Sequence, residues 1–286
     1  MFPVDLHTHT TASDGTHTPT QLVARAAKNG VRVLGIADHD TVAGVSEAIE
    51  AGRQAGIEVV PGVEFSLKHE PDKGFIGIHL LGYFIDITMP RLQEVIQQVQ
   101  QARVEQKIRQ IEKLQTLGFN ITVDEVFSRV QGVPGRPHIA AVLMEKYPGR
   151  FASLQQVFDE FLGTGRPAHV KRDFALTMRQ AVVLIREAGG VPVLAHPGIY
   201  EPVANPVSVV RNACREGIMG LEVFYPYPAS ARTNWVGRME ALARDLGLAV
   251  TGGSDFHGRP GENLEPGEAG LTGELFDRFR QVARQG

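Results

Sequence analysis

The sequence predicts an α/β barrel of parallel strands interrupted by a helical insertion. Three observations lead there. Short strand-like runs alternate with helical ones near the amino terminus, the alternation resumes late in the chain, and about 75 residues between the two halves carry helical periodicity only. Val4 to His9 reads as the first strand, followed by a helix through Leu22 to Lys28 that Thr18-Pro19 opens and Asn29-Gly30 closes. Val31 to Ala37 is the second strand, and Val45 to Ala55 is its helix, stopped at Gly56. Ile57 to Val63 and Ile78 to Phe84 follow as the third and fourth strands. Late in the chain, Val191 to Ala195, Gly220 to Phe224 and Leu248 to Gly252 are each preceded by a helix ending in glycine, at Gly189-Gly190, Gly217 and Gly247. Such strands, apolar along most of their length, are covered on both faces.

Between the halves, Pro90 to Leu117 is a long amphipathic stretch with Leu92, Val95, Val99, Ile108, Ile111 and Leu114 as its apolar members. Shorter helical segments follow at Val123 to Val130, Ile139 to Lys146 and Leu154 to Phe161. The expected organisation is a barrel over 1–98 and 173–286 with a helical cap over 99–172. Caps of this kind exclude water from a barrel mouth and supply substrate contacts.

Composition narrows the class without naming a function. Of 286 residues, 43% are apolar and 21% charged, which excludes a disordered or fibrous chain. No apolar run approaches the roughly 20 residues a membrane helix needs, and the amino terminus shows no leader pattern, so a cytoplasmic protein without membrane partner is expected. Cys214, the single cysteine, reads as a small hydrophobe. A formal charge of −3 gives no global attraction for nucleic acid, so an anionic substrate would have to be held locally. No protein partner is predicted, and the oligomeric state is left open.

The chemistry lies at the strand ends. His7 and His9 have period-two spacing and project to one side of the first strand. Asp14 follows in the loop after that strand, His39 follows the second strand, Glu64 the third, and His79 begins the fourth. His196 ends a late strand, and Asp255 and His257 follow the last. The carboxyl ends of parallel barrel strands converge on one face, so these donors would gather around one point. Imidazoles and carboxylates without thiolates suit manganese, iron or zinc better than magnesium or calcium. A carboxylate such as Glu64 can bridge two ions, an arrangement that serves phosphoryl or acyl hydrolysis.

Taken in order, His7-Thr8-His9, Ser13-Asp14-Gly15, Asp38-His39, Gly62-Val63-Glu64, His79, His196-Pro197-Gly198 and Ser254-Asp255-Phe256-His257 resemble the polymerase and histidinol phosphatase (PHP) family. The likeness runs from the first residues to about His257. It is greatest to the branch with a helical insertion that removes the 3′-phosphate from 3′,5′-bisphosphonucleotides and trims short RNA from its 5′ end. The resemblance implies a distorted, TIM-like (β/α)7 barrel. It implies two or three divalent ions, manganese first and iron or zinc as alternatives, held by His7, His9, Asp14, His39, Glu64, His79, His196, Asp255 and His257. His17 stands outside this pattern. Asp38 and Asp40 are expected to orient His39 or neighbouring imidazoles, with capping as the other role for Asp40. Gly135-Arg136-Pro137-His138 and the stretch from Gly165 to Arg172 resemble phosphate-gripping segments, so Arg136, His138 and Lys171 are the expected substrate contacts. Arg166, His169 and Arg172 read as solvated basic surface, and His69 as surface. Tyr225 and Tyr227 are available to stack on a base or to form an exposed loop pair.

The resulting expectation is a metal-dependent phosphoesterase that cleaves a small nucleotide or a short oligoribonucleotide with an activated water and no covalent phosphoenzyme. Its rivals are an amidohydrolase-type deaminase or lactonase, another PHP phosphatase such as a histidinol phosphatase, and a non-catalytic metal-binding domain.

Overall fold

A computed structural model describes residues 1–201, 203–227, 233–259 and 261–285. Seven strands form one sheet in sequence order: β1 (Val4–Thr8), β2 (Val33–Ile36), β3 (Glu58–Ser66), β4 (His79–Tyr83), β5 (Val191–Leu194), β6 (Gly220–Phe224) and β7 (Ala249–Gly252). The chain beyond β7 bonds back to β1, with the Asp255 N–H donating to the His7 carbonyl at 2.8 Å and the His9 N–H to the Phe256 carbonyl at 2.9 Å. The sheet thereby curls into a nearly closed barrel. Gly253 permits the approach, since a Cβ there would lie 2.4 Å from the backbone nitrogen of His7.

One strand departs from the parallel pattern expected. β4 pairs antiparallel with both β3 and β5, whereas all other neighbouring strands are parallel. The cause is local. A parallel return needs a crossover, usually a helix, but the link from Leu67 to Ile78 holds only a single 3-10 turn, Pro71–Lys73, and so folds back as a hairpin. The start of β4 therefore lies at the mouth where the other strands end.

Helices α1 (Pro19–Lys28) and α2 (Val45–Ala55) cover the first strands, and α7 (Met178–Glu187), α8 (Pro206–Glu216) and α9 (Trp235–Leu246) cover the last three. Thr18 caps α1 in a box with Gln21, satisfying amide donors that a bare helix end leaves unpaired. A final helix, α10 (Gly273–Gln285), which the sequence reading did not anticipate, closes the barrel floor. Phe279 on it meets Tyr83 edge-on at 5.7 Å between ring centroids, in a cluster with Val4, Leu6, Leu81 and Val193. Among the described residues no helix is long and apolar enough to cross a membrane.

The stretch between β4 and β5 is helical: α3 (Pro90–Thr116), α4 (Val123–Phe127), α5 (Arg136–Lys146) and α6 (Leu154–Val157), the last continued by a π turn at Phe158–Leu162. At 1.5 Å per residue, the 27 residues of α3 span about 40 Å. The helix starts at the barrel floor, where β4 ends, and passes the mouth. Leu92, Ile96 and Val99 join the main core, while Ile111 and Leu114 join a separate apolar cluster with Phe119, Ile139, Leu143 and Leu162. Residue 98 lies inside this unbroken helix.

Candidate metal centre

Seven of the nine donors reach the mouth for an identifiable backbone reason. Alternation along β1 sends His7 and His9 the same way. A lone parallel bridge joins His39, just past β2, to Glu64 on β3. His79 arrives because β4 is reversed. Three turn residues, Asp40, His196 and Asp255, hold left-handed backbones with φ of 53°, 26° and 55°. Residues with side chains adopt that region reluctantly, and such conformations gather at sites the rest of the fold overdetermines.

Three carboxylates knit the imidazoles together. Glu64 Oε2 lies 2.8 Å from His39 Nδ1, 3.4 Å from His9 Nε2 and 3.5 Å from His7 Nε2. Its Oε1 lies 2.8 Å from His79 Nδ1 and 3.1 Å from His196 Nε2. Asp255 Oδ1 is 3.0 Å from His9 Nε2, and Asp14 Oδ1 is 3.3 Å from His257 Nε2. All nine are thus contiguous. Three overlapping groups have ligand atoms within 4.8 Å of one another: His9, Asp14, His39 and His257; His7, His9 and Asp255; His39, Glu64 and His79. Adjacent ligands about 2.1 Å from one cation sit near 3 Å apart, which is the spacing seen.

Hydrogen bonds do not account for this packing. His7 Nε2, both ring nitrogens of His9, Asp14 Oδ1, His39 Nδ1, Glu64 Oε2, His196 Nδ1 and His257 Nε2 are buried without a hydrogen bond of acceptable geometry. A buried polar atom left unmade costs about 1–3 kcal/mol, and net stabilities are only about 5–15 kcal/mol, so eight together call for cations as partners. Charge agrees. Burial alone would raise Glu64, yet His39, His79 and His7 outweigh it and hold that carboxyl well below its usual range. Burial drives His39 down to about 4 against the attraction of Glu64 and Asp14, so its imidazole is neutral and able to ligate.

The surrounding groups were mostly not anticipated. Glu222 is fully buried on β6. Its Oε1 accepts from His7 Nδ1 at 2.9 Å and its Oε2 from the His196 amide at 2.8 Å, which turns His7 Nε2 toward the centre. Asp5, also buried, accepts from the amides of His7, Ser254 and Gly267 and from Ser254 Oγ, tying β1 to the chain after β7. Its burial raises it to about 6 despite those bonds. A carboxylate inside an otherwise apolar strand was the available signal for Glu222, and a carboxylate between Val4 and Leu6 the signal for Asp5.

Several expectations need correction. Among the described residues Asp38 bonds to no imidazole; it accepts from the Thr10 amide and from the hydroxyls of Thr10 and Ser13, and so shapes the loop that carries Asp14. Asp40 instead takes Arg103 at 2.5 Å and Arg172 at 3.0 Å on one oxygen. Arg172 is therefore no solvated residue, its side chain being 11% exposed. His69 is half-buried and stacks on His169, the ring centroids 6.2 Å apart and the planes 9° apart. Tyr225 donates to Asp255 Oδ2 at 3.1 Å and packs on Tyr227, so this pair is not a free loop. His17 stays outside the donors, its Nε2 accepting from Arg25.

Beside the donors lies a basic face, joined to them through Asp40, the neighbour of His39. Arg103, Lys107 and Gln110 are buried on the same stripe of α3 as Val99 and Leu114. Among the described residues the Lys107 ammonium meets only the amide oxygens of Gln106 and Gln110, and burial, then Arg103, Arg172 and Arg136, pushes its pKa well below the ordinary lysine value. Arg136 begins α5, exposed, with its guanidinium over the Phe158 ring. His138 Nδ1 accepts from the Gly135 amide, and Lys171 is exposed on the chain returning to the barrel. Gly135 sits against Asp14, where a Cβ would lie 3.3 Å from Oδ2, so this helix start borders the donors. Arg259, two residues past His257, donates to Asp14 Oδ2 at 2.8 Å.

Residues 5–162 match the family model of the PHP domain. The chain is 34% identical over 254 residues to a 5′-3′ exoribonuclease of Haemophilus influenzae, covering 88% of this chain and 89% of that one. It is 31% identical to a phosphoribosyl 1,2-cyclic phosphate 1,2-diphosphodiesterase of Eggerthella lenta, covering 90% and 95% of the two. It is 30% identical to a 3′,5′-nucleoside bisphosphate phosphatase of Chromobacterium violaceum, covering 100% and 96%. These relatives share phosphoester cleavage and differ in substrate.

Proposed function

Because the chain belongs to the PHP family and is a metal-dependent phosphoric ester hydrolase, we propose that it removes the 3′-phosphate from 3′,5′-bisphosphonucleotides, leaving a 5′-nucleotide and phosphate. In this reading His7, His9, Asp14, His39, Glu64, His79, His196, Asp255 and His257 hold two or three divalent ions, with manganese the first choice. Ions there supply water activation and charge neutralisation for an in-line displacement. The helices of 99–172 act as the cap.

The observation that favours a substrate with two phosphates is surplus positive charge beside the donors. Asp40 is shared by Arg103 and Arg172, while Lys107, Arg136 and Lys171 have no carboxylate within ion-pair distance among the described residues. Cations gathered without matching acids are stabilised by an anionic ligand. Arg136 offers a planar fork, Lys171 a point charge and His138 a ring at the start of α5, and together they would grip the phosphate that is not cleaved.

The test is phosphate release from 3′,5′-bisphosphoadenosine by manganese-loaded protein, with the nucleotide product identified chromatographically. Adenosine 5′-monophosphate is the expected product. Ammonia without phosphate, or loss of the 5′-phosphate instead, would overturn the assignment.

A further inference from the structure

Two histidines that take no part in the metal centre meet where the cap returns to the barrel. His69 stands in the link between β3 and β4, and His169 in the strap of residues 163–177 that leads from the π turn back to α7. Their rings stack nearly parallel, 9° between planes and 6.2 Å between centroids, and both are partly buried. Backbone bonds hold the two segments together on either side of the pair. The Lys68 amide donates to the Leu176 carbonyl at 2.8 Å, and the Met178 amide to Glu70 Oε2 at 3.1 Å. The strap is tied to α3 as well, since Gln106 Nε2 donates to the Val170 carbonyl at 2.6 Å and Lys113 Nζ to the carbonyl of His169 itself at 2.8 Å.

The charges facing the pair are almost all positive. Lys107 and Lys113 come from α3, Arg136 from α5, and Lys171 and Arg172 from the strap. The acids nearby are already engaged: Glu70 by Lys73 at 2.9 Å, Asp173 by Arg109 at 2.9 Å, and Asp40 by Arg172 at 3.0 Å. Among the described residues no carboxylate lies within ion-pair distance of either ring. Burial first, and then these neighbours, hold both imidazoles below their ordinary value; for His69 the largest of the neighbours is His169, and for His169 it is Arg136. Two rings that attract as neutral aromatics would, once protonated, be like charges side by side in a cationic setting.

We propose that His69 and His169 form an acid-released latch between the barrel and the cap, closed while both rings are neutral and opened when they take up protons. Lys171 and Arg172 ride on the same strap, so its release would withdraw cations from the face beside the donors. The sign follows from linkage. An imidazole that binds its proton less readily when the latch is closed contributes to closure above its free value, and that contribution is lost as pH falls.

The experiment is amide hydrogen exchange read by mass spectrometry on the manganese-loaded protein at about pH 7.5 and about pH 5.5. Rates are corrected for the intrinsic pH dependence of exchange and followed in peptides covering 67–78 and 163–177. A ring freed to its ordinary value near 6.5 is about ten-to-one protonated at the lower pH, so each ring kept neutral in the closed latch favours opening by up to about tenfold. Wild-type protection of both segments should therefore fall by about tenfold or more. His69→Phe combined with His169→Phe keeps two aromatic rings and removes both titrations, and its protection should change by less than about twofold. Unchanged wild-type protection overturns the latch. A comparable fall in the double variant also overturns it, because the acid response then arises elsewhere. Titration of the wild-type imidazoles by NMR gives the same answer without substitution: both rings should titrate below 6.5, and either one at or above that value overturns the proposal.

Discussion

At the barrel mouth nine donors crowd within ion-pair distance of one another, and Glu64, Asp14 and Asp255 sit among imidazoles that leave buried atoms unbonded. Beside them, Arg103 and Arg172 share one carboxylate, Asp40, and Lys107 and Arg136 add charge to the same face. The first region is short of cations and the second short of anions. Neither is stable by its own hydrogen bonding, and a metal-bound phosphoester with a further phosphate would complete both. The frustration on the two faces describes the ligand better than either face alone.

The largest test of that contrast is at the donors. His9 belongs to two of the three candidate groups, so His9→Ala should lower metal content, read by elemental analysis, and cut turnover by more than about 100-fold. Full metal retention would break the comparison at its first term. Glu222→Gln comes next, because it keeps shape while weakening the hold on His7 Nδ1; metal affinity should fall about 10–100-fold with the circular dichroism unchanged. On the basic face, Arg136→Ala should retain metal and raise KM for the bisphosphate about tenfold, with a smaller effect on a monophosphate ester.

The smallest effect runs in the opposite direction. Lys107 has a folded pKa below the unfolded value near 10.5, so between those two values the unfolded chain binds more protons and wild-type stability should rise with pH. Lys107→Met should flatten that slope and stabilise the ligand-free protein by about 1–2 kcal/mol near neutral pH, measured by urea titration. Destabilisation instead would mean that the ammonium is already compensated, and the contrast between the two faces would lose its second term.

The barrel side was legible because strand ends are short and stereotyped: His7 with His9, Glu64 after Gly62-Val63, and Asp255 with His257 each announce themselves within a few residues. The basic face was not, since its side chains converge from α3, α5 and the returning chain through tertiary packing alone. Part of it was nevertheless written in α3. Leu92, Ile96, Val99, Arg103, Lys107, Gln110 and Leu114 follow one another at intervals of three or four, and counting only the apolar members concealed the charged centre of that stripe. The reversal of β4 was hidden for a different reason. Strand-like periodicity is the same in both directions, and only the missing helix before His79 distinguishes them. Arg259 lay two residues outside the last motif and had no signal of its own.

The unbroken course of α3 has a mechanical consequence. A continuous helix anchored in the barrel core at Leu92 and Ile96 and in the outer cluster at Ile111 and Leu114 behaves as a beam, with no swivel at the point where Arg103 reaches Asp40. The placement of the basic side chains relative to the donors is then set by helix rise and stiffness, and substrates would be gauged against a fixed span.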